Sequence, residues 1–375
     1  MSSAPDLVTT GPDQLVPVAR VALREFTVPA PAQTEHHAAV RPYLRTDPVR
    51  GWLVGVSDGE RWGWWGPVDA TVARPVTDLL AAAFPRLPAQ VDPADFARRL
   101  RRATRHAHTG LLAVSVGAAE LALWDLMAKR VGLPVWQLLA PVAVTDRVPA
   151  YATCFGVRDS GPQVASVMDS VADTYAVQKW DPMILGPELV DVTTGFLRRH
   201  GPGRLAVDFH GAWHPDRVRA ACTPVVGGLA WVEEPCHPDE VEQAQAGEFG
   251  TAHAAGEHCY GVADAAQLRA GRVDVWQPDA VFCGGLMSLR TLVRAAAHAG
   301  ARCAPHGGGL LPALHLAAIG ERIEAVELHL LLELRRCAHF AELPVPIGAG
   351  THTAALPVPT APGWGGDLRM DLVDV

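Results

Sequence analysis

The chain has 375 residues, 49% of them hydrophobic, which is enough to fill one large domain or two ordinary ones. A formal charge of -8 argues against a nucleic-acid or anionic-membrane partner, and the basic cluster at residues 98–102 is more typical of a solvated helix face. The seven cysteines include no Cys-x-x-Cys pair, so neither a disulfide framework nor a zinc site is indicated. We find no signal peptide and no apolar stretch approaching a membrane-spanning length. These features predict a cytoplasmic protein with reduced thiols.

The first strands are predicted from alternating apolar residues. We expect disorder to about Gln14 and then a strand over residues 15–28. Residues 51–56 and 61–65 form a hairpin pattern, because the Asp58-Gly59 turn between them is a strong hairpin signal. These strands predict a small antiparallel sheet at the N-terminus.

The periodicity then changes twice along the chain. Apolar residues at steps of three and four predict helices from about residue 68 to 139, so residues 1–146 are assigned to an α+β domain. Over residues 147–335 short apolar strands alternate with helices, which predicts a parallel sheet and fits a barrel better than an open sheet. The Pro- and Gly-rich segment 336–375 is expected to fold back onto the first domain.

Functional side chains recur about one strand-plus-helix unit apart in the second region. Asp208, Glu233, Glu257, Asp279 and His306 each follow a short apolar stretch, with gaps of roughly 22 to 27 residues. The C-terminal strand ends of a βα barrel converge on one mouth, so these side chains would meet around one pocket. Three carboxylates there suit a hard divalent cation and leave a His and an Asp for proton transfer.

The chain resembles the enolase superfamily, specifically its mandelate racemase/muconate lactonizing enzyme branch and, within it, the acid-sugar dehydratases of the galactonate, mannonate and rhamnonate type. The resemblance covers nearly the whole chain and rests on the order and spacing of Val116-Gly-Ala-Ala-Glu-Leu-Ala-Leu-Trp-Asp-Leu, Gly132-Leu-Pro-Val-Trp-Gln-Leu-Leu, Trp231-Val-Glu-Glu-Pro, Ala255-Gly-Glu-His, Gln277-Pro-Asp, Cys283-Gly-Gly-Leu and Ala304-Pro-His-Gly-Gly-Gly. It implies an α/β fold, a (β/α)7β modified TIM barrel with an α+β capping domain that residues 336–375 complete.

The resemblance assigns the ligands of a Mg²⁺ ion to Asp208, Glu233 and Glu257. Three monodentate carboxylates leave room for the water and substrate that Mg²⁺ usually retains. Glu234 would be a neighbour, and His258 would lie behind the ligands. Any single acid could instead cap a helix or pair with an arginine, but three at barrel spacing favour the metal site.

Two histidines are candidates for proton transfer. His306 is the expected base for a proton α to a carboxylate, with Asp279 bonded to its other ring nitrogen. His210, two residues after Asp208 on what we expect to be an extended strand end, would face the same pocket. The resemblance makes His210 the acid for the leaving hydroxyl, and a simple hydrogen bond to substrate or water is the alternative.

Further site residues are expected on the second and eighth strands. Lys179 would neutralise the substrate carboxylate. Asp181 stands where racemases have a second lysine base, which disfavours two-base racemisation, and it could bind a sugar hydroxyl or pair with Lys179. The resemblance suggests that Glu327 donates a hydrogen bond as a protonated acid, with Glu333 as the alternative if the register differs.

Loops of the capping domain, residues 29–50 and 62–67, should select the substrate. His36 and Trp65 are candidate substrate-binding residues, and His214 could reach a substrate hydroxyl from the segment after the third barrel strand. Packing of the tryptophans and solvent exposure of the histidines are the alternatives. Further candidates are His37, Arg41 and Trp64.

The predicted function is that of a Mg²⁺-dependent carbon-oxygen lyase that dehydrates a sugar acid to a 2-keto-3-deoxy acid. A racemase or epimerase acting through the same enediolate intermediate is the alternative, and a non-catalytic carboxylate-binding member is a remote one. The expected partner is a small-molecule carboxylate, with no nucleic acid and no membrane, and we expect a homo-oligomer.

Overall fold

A computed structural model describes most of the chain. It covers residues 16–17, 20–30, 32–83, 90–104, 109–155, 157, 161–182, 189–225, 227–240, 249–344, 354–369 and 371. The expected disorder before residue 15 lies outside these ranges.

An antiparallel sheet and a short strand pair open the described fold. The strands are β1 (Val16–Pro17), β2 (Arg20–Val28), β3 (Val49–Ser57), β4 (Trp62–Val68) and β5 (Gln90–Val91). Strands β2, β3 and β4 form one three-stranded sheet, and β1 pairs with β5. Gly59 lies in the turn between β3 and β4 at φ 104°, a conformation that glycine adopts without strain. The predicted N-terminal strand and hairpin are confirmed.

Helices α1 (Ala70–Ala83) and α3 (Gly110–Val131) pack against this sheet, and α2 (Pro93–Thr104) packs against both of these helices. Strand β4 approaches α3 so closely that a Cβ on Gly63 would clash with the α3 backbone. Helix α3 is also long and apolar enough to cross a membrane, so the statement that no apolar stretch approaches that length was wrong. Because 89% of its apolar window is buried inside the fold, α3 is the core helix of the cap.

Eight parallel strands then curl into one sheet in the order β13-β6-β7-β8-β9-β10-β11-β12. Their bounds are β6 (Arg147–Thr153), β7 (Gln178–Trp180), β8 (Leu205–Asp208), β9 (Trp231–Glu233), β10 (His253–Ala255), β11 (Val275–Trp276), β12 (Arg302–Cys303) and β13 (Val326–His329). The backbone N–H of Glu324, just before β13, donates to the Cys303 carbonyl at 2.8 Å. This contact brings the two ends of the sheet together as a barrel.

Helices connect the barrel strands and cover the sheet. They are α4 (Val135–Leu139), which leads into the barrel, and α5 (Gly161–Ala172), α6 (Leu189–His200), α7 (Pro215–Cys222), α8 (Ala265–Ala270), α9 (Leu286–Ala299), α10 (Leu310–Ala318) and α11 (Glu333–Arg336). The connection from β9 to β10 includes residues 241–248, which lie outside the described ranges. The predicted α/β class, a modified TIM barrel with an α+β capping domain, is confirmed.

Two buried carboxylates of α3 tie the cap to the rest of the molecule. Glu120 accepts a hydrogen bond from the backbone N–H of Leu286, the first residue of α9, at 2.7 Å. Burial raises the pKa of Glu120 to about 7. Asp125 accepts from the backbone N–H groups of Trp64 and Trp364 at 2.9 and 3.0 Å. Glu120 therefore ties the cap to the barrel helix α9, and Asp125 ties it to the C-terminal segment.

The C-terminal segment contacts both parts of the fold. Its strand β14 (Ala355–Pro357) pairs antiparallel with β6 of the barrel. Trp364 packs edge-on against Trp65 of the cap at 5.4 Å and donates its indole N–H to the Leu121 carbonyl at 2.9 Å. The segment therefore contacts the cap through Trp364 and the first barrel strand through β14, a pairing that the sequence did not predict.

Candidate metal and proton-transfer site

Three carboxylates meet at the C-terminal ends of neighbouring barrel strands. Asp208 ends β8 and lies directly opposite Glu233, which ends β9, and Glu257 follows β10. One oxygen from each side chain can be chosen such that the three atoms lie within 4.8 Å of one another. The convergence of parallel strand ends therefore brings together acids that are far apart in sequence.

The electrostatics of this cluster favour a cation. Burial raises the pKa of Asp208, Glu233 and Glu257, and for Glu233 it raises it to about 8. The neighbouring carboxylates raise these values further through mutual repulsion. Buried Asp208 Oδ2 makes no hydrogen bond within the described structure. An all-oxygen, mutually repelling donor set fits a hard divalent ion such as Mg²⁺.

The ammonium group of Lys179 lies among these acids. It contacts Glu233 Oε1 and lies 3.2 Å from both Asp208 Oδ2 and Glu327 Oε1. Burial alone would lower the pKa of Lys179, but the charges of the surrounding carboxylates raise it well above its ordinary value. Lys179 is therefore a permanent positive charge at the centre of the site.

Glu327 on β13 accepts hydrogen bonds on both of its oxygens. Its Oε1 accepts from the Thr153 hydroxyl at 2.6 Å. Its Oε2 accepts from the Tyr151 hydroxyl and from the Gly307 backbone N–H, both at 3.0 Å. The side chain is thus fixed by groups from two different segments, β6 and the turn at Gly307.

These contacts do not fit the protonated donor that we expected at Glu327. Burial would raise the pKa of this carboxyl, but the charges of Lys179 and His306 outweigh burial and hold it well below its usual range. Glu327 is therefore an ionised acceptor in this structure. The register at this end is also settled, because Glu333 begins α11 and Glu327 lies in β13 with the other site residues.

Sequence analysis assigned no role to three residues that support the site. Tyr151 and Thr153 alternate along β6 and bond Glu327, while the Gln277 side-chain amide donates to Glu233 Oε2 at 2.6 Å. The period-two spacing on β6 and the position of Gln277 in the Gln-Pro-Asp motif were the available signals. These residues orient the carboxylates from below the mouth.

His306 is held in a defined orientation by Asp279. Its Nδ1 lies 2.9 Å from Asp279 Oδ2, and its Nε2 lies 3.4 Å from Glu257 Oε2. The other oxygen of Asp279 accepts the backbone N–H groups of Val281 and Phe282 at 2.7 and 3.1 Å. Burial would lower the pKa of His306, but the Glu257 charge and the Asp279 hydrogen bond raise it to about 10. The ring therefore presents Nε2 to the carboxylate cluster.

His210 lies on the other side of the mouth, because β8 and β12 are four positions apart in the eight-strand order. Its Nδ1 is 3.4 Å from Asp208 Oδ1 and its Nε2 is 3.7 Å from Asp181 Oδ2. The side chain is 40% exposed, and the Phe155 ring meets it edge-on at 4.9 Å. Burial lowers the pKa of His210, but the Asp181 hydrogen bond and the Asp208 charge raise it to about 9.

The reason that we gave for the position of His210 was wrong. Strand β8 ends at Asp208, and His210 has a left-handed φ of 54° in the following turn. Its backbone N–H donates to Asp208 Oδ1 at 2.9 Å, which stabilises this turn. The turn, and not an extended strand end, therefore brings the ring beside Asp208 and Asp181.

The remaining candidates lie in several environments. Asp181 is the ion-pair neighbour of His210, whereas Lys179 faces the carboxylate cluster. His214 caps α7 by accepting the Asp216 backbone N–H, and its side chain is 74% exposed, so it is a surface cap.

His258 lies behind the cluster, between Glu234 at 3.6 Å and Glu257 at 3.7 Å. His258 stays a candidate for a supporting position behind the ligands.

A cavity of about 260 Å³ lies between the cap and the His306 side of the mouth. Trp65 is one wall of this cavity, whereas buried His36 is not among the described lining residues. The polar lining residues are Asp69, Asp279, His306, Glu333, Arg336 and His339. The cavity therefore connects the proposed base to polar groups after β13.

The mouth of the barrel thus combines a carboxylate cluster that could hold a metal ion with two flanking histidines. Residues 171–372 match the family model described as enolase C-terminal domain-like. Residues 44–140 match the mandelate racemase/muconate lactonizing enzyme N-terminal domain. The chain therefore belongs to the enolase superfamily, in its mandelate racemase/muconate lactonizing enzyme branch. The resemblance inferred from the motifs is confirmed, and the cofactor of the enzyme is Mg²⁺.

Solved structures share this fold over nearly the whole chain. An L-talarate dehydratase from Polaromonas sp. JS666, complexed with Mg and L-glucarate, is 26% identical, with 94% of this chain and 95% of that chain covered and a TM-score of 0.71. A racemase from Streptomyces coelicolor A3(2) with bound magnesium is 21% identical, with 95% and 100% covered and a TM-score of 0.73. A mandelate racemase/muconate lactonizing enzyme-like protein from Rubrobacter xylanophilus is 22% identical, with 95% and 98% covered and a TM-score of 0.75.

Proposed function

We propose that the protein is an acid-sugar dehydratase, a hydro-lyase that removes the proton α to a carboxylate and eliminates the β-hydroxyl to give a 2-keto-3-deoxy acid. One observation carries this proposal. His306 and His210 lie on opposite sides of the carboxylate cluster, and each is paired with its own aspartate. Elimination needs a base at one carbon and an acid at the next, and two separately supported histidines supply both.

The metal ligands in this proposal are Asp208, Glu233 and Glu257. When bound, Mg²⁺ withdraws charge from the substrate carboxylate and so makes the α proton more acidic. Lys179 contributes a second, permanent positive charge beside the same cluster. Together these groups would orient the carboxylate and leave the α carbon directed towards a histidine.

His306 acts as the base in its neutral form, which a cation held by Glu257 would favour because it would offset the Glu257 charge that raises the pKa of His306. Asp279 is fixed by two backbone N–H groups and accepts from Nδ1, so the proton of a neutral His306 ring resides on Nδ1 and the lone pair on Nε2. Nε2 is the nitrogen that faces the cluster, 3.4 Å from Glu257. The α C–H bond breaks, and its proton moves to Nε2.

His210 acts as the acid. The Asp181 and Asp208 carboxylates hold the imidazolium in its protonated form, with a pKa of about 9. As the β C–O bond breaks, His210 transfers a proton to the leaving oxygen, which departs as water. The enol that remains tautomerises to the 2-keto acid, so atoms and charges balance without a further reactant.

A racemase or epimerase is the second candidate. Two histidines on opposite sides of the mouth could remove and return the α proton on opposite faces, and one solved structure with this fold is a racemase. Asp181 argues against racemisation by a lysine base, because it occupies the position of that second lysine and pairs with His210.

The two candidates are separated by incubating the Mg²⁺-loaded protein in D₂O with a library of sugar acids. Dehydration predicts keto-acid formation, which semicarbazide detects as a semicarbazone. Deuterium in recovered substrate without keto acid would favour the racemase. Controls with EDTA and with the Asp208→Asn variant should abolish either reaction.

A further inference from the structure

A groove of about 410 Å³ lies where the cap meets helix α9 of the barrel. It shares no described lining residue with the cavity at His306. Helix α2 of the cap lines one part of the groove, and α9 lines another. The groove is therefore a concave surface to which both the cap and the barrel contribute, away from the proposed catalytic groups.

Each of these two helices presents two arginines to the groove. Arg98 and Arg101 are three residues apart on α2, and Arg290 and Arg294 are four residues apart on α9. Residues at these spacings lie on the same face of a helix. The basic run at residues 98–102 therefore contributes to a concave surface and not only to a solvated helix face.

Arg101 is held in place at the joint between the cap and the barrel. Its guanidinium donates to the Gly284 carbonyl at 2.8 Å and to the Ser288 hydroxyl at 3.2 Å. Gly284 and Ser288 belong to the barrel and line the same groove. One cation of the groove is thus preorganised, which lowers the entropic cost of binding an anion there.

The other three arginines share their carboxylate partners. Arg290 and Arg294 both pair with Glu321, at 2.6 and 2.8 Å. Arg98 lies 3.0 Å from Asp95, which also contacts a further arginine of α2. One carboxylate therefore serves two guanidinium groups on each helix.

Two acids line the groove, and both are occupied by N–H donors. Asp92 accepts the backbone N–H of Asp95 at 2.9 Å. Glu120 accepts the Leu286 backbone N–H at 2.7 Å and the Trp124 indole N–H at 2.9 Å. Burial raises the pKa of Glu120 to about 7, so this carboxyl is only partly ionised at neutral pH. The described lining and its pairing carboxylates therefore keep an excess of positive charge, in a chain of formal charge -8.

We propose that this groove binds the phosphate group of a small phosphorylated molecule. Guanidinium groups form bidentate, charge-assisted hydrogen bonds with phosphate oxygens, and two pairs from different helices can contact several oxygens of one dianion. The volume lies within the range of small-molecule sites. The negative charge of the whole chain disfavours a nucleic acid as the source of the phosphate. The proposal does not depend on the catalytic function proposed above.

A bound phosphate would also link the two parts of the molecule. Its oxygens would contact Arg98 or Arg101 from the cap and Arg290 or Arg294 from the barrel, in addition to the bond between Glu120 and α9. A ligand that binds only the folded protein stabilises it, so the midpoint of thermal unfolding should rise with ligand concentration.

The test is isothermal titration calorimetry on the full-length, Mg²⁺-loaded protein with glucose 6-phosphate, inorganic phosphate and glucose as probes. We expect one binding site for glucose 6-phosphate and no measurable binding of glucose. Weaker binding of inorganic phosphate would identify a phosphate ester as the ligand. Binding of inorganic phosphate that is as tight or tighter would also support the site and would identify free phosphate as its ligand.

Substitutions of two exposed arginines locate the binding. Arg98→Gln combined with Arg294→Gln should weaken it about tenfold or more, since one charged donor is lost from each helix. Arg198→Gln combined with Arg302→Gln removes the same charge from exposed positions elsewhere and should bind like the wild type. Arg98→Lys combined with Arg294→Lys keeps the charge without the guanidinium fork and should weaken binding several-fold. The single Gln variants are measured as well, so the test does not depend on folding of the double variant.

Three results would overturn the proposal. Unchanged binding in the Arg98→Gln and Arg294→Gln variants would place the phosphate elsewhere, for example at the bound Mg²⁺. An equal loss in the Arg198→Gln/Arg302→Gln control would reduce the effect to the overall charge of the chain. No measurable binding of either phosphate probe at millimolar concentration would exclude a phosphate site in the groove.

Discussion

The two histidine arms of the site differ in how firmly they are held. His306 bonds Asp279 at 2.9 Å, and Asp279 is itself fixed by two backbone N–H groups. The ring nitrogens of His210 lie farther from their carboxylates, at 3.4 Å from Asp208 and 3.7 Å from Asp181, and the side chain is 40% exposed. One arm is preorganised, whereas the other can move.

This difference fits two different tasks. A base must meet one α proton at a fixed distance from the metal-bound carboxylate, and a rigid ring makes that geometry reproducible. A leaving hydroxyl moves away as its bond breaks, so a more exposed and less constrained acid can follow it. The structure therefore suggests that His306 sets the stereochemistry at the α carbon and that His210 serves the departing group.

Loss of the metal should impair the steps of both His306 and His210, and it is expected to have the largest effect. Asp208→Asn is expected to lower Mg²⁺ affinity on the order of 10²-fold or more, because it removes one of three charges from the cluster. Titration calorimetry with Mg²⁺ measures this change. Asp216→Asn, at an exposed position in α7, is the matched control and should retain wild-type affinity. Unchanged Mg²⁺ affinity in Asp208→Asn would remove this residue from the ligand set.

Removing the fixed arm should abolish proton removal. His306→Asn is expected to lower both keto-acid formation and α-deuterium exchange on the order of 10³-fold, the typical contribution of a general base. Rates are measured with the best substrate from the D₂O screen. His298→Asn, on the surface of α9, serves as the control. A fully active His306→Asn enzyme would show that another group is the base.

Removing the carboxylate that orients His306 should leave its ring as loosely held as that of His210. Asp279→Asn is expected to lower the rate about 10- to 100-fold, because the ring loses its orienting carboxylate. The Asp279 hydrogen bond raises the pKa of His306, so its loss lowers that pKa. A base acts when deprotonated, and the rise of activity with pH should therefore shift to lower pH. A rate loss with no shift of the pH profile would indicate a structural role only.

Removing the carboxylate of Asp181 beside His210 should have the smallest effect. Asp181→Asn lowers the pKa of His210, since the Asp181 hydrogen bond raises it. An acid acts when protonated, so activity should be lost at a lower pH on the alkaline side, with only a few-fold change at neutral pH. The pH dependence of the elimination rate checks this. An unchanged alkaline limb would separate Asp181 from the acid step.

The meeting of the three carboxylates could be predicted from sequence because its physical basis is simple. Parallel strand ends converge, so Asp208, Glu233 and Glu257 at regular spacing had to approach one another. The same reasoning failed for His210, whose left-handed backbone gives no signal in a period-two pattern. For Glu327 the resemblance suggested a protonated donor, whereas the folded structure surrounds this carboxylate with donors from β6 and with the Lys179 ammonium.

The cap illustrates the same limit. Its strands and helices follow from local periodicity, but the partners of Glu120 and Asp125 lie far away in sequence. Trp65 stays a candidate from its loop, and the sequence did not indicate that Glu333, Arg336 and His339 line the same cavity. Which groups face one cavity depends on how the cap sits on the barrel.

The division of labour between the two histidines is tested most directly with His210→Asn in D₂O. Deuterium entry at the α carbon and keto-acid formation are measured in the same reaction by NMR. We predict that deuterium exchange stays within a few-fold of wild type while keto-acid formation falls on the order of 10²-fold. Parallel loss of both reactions, or full retention of both, would contradict the account.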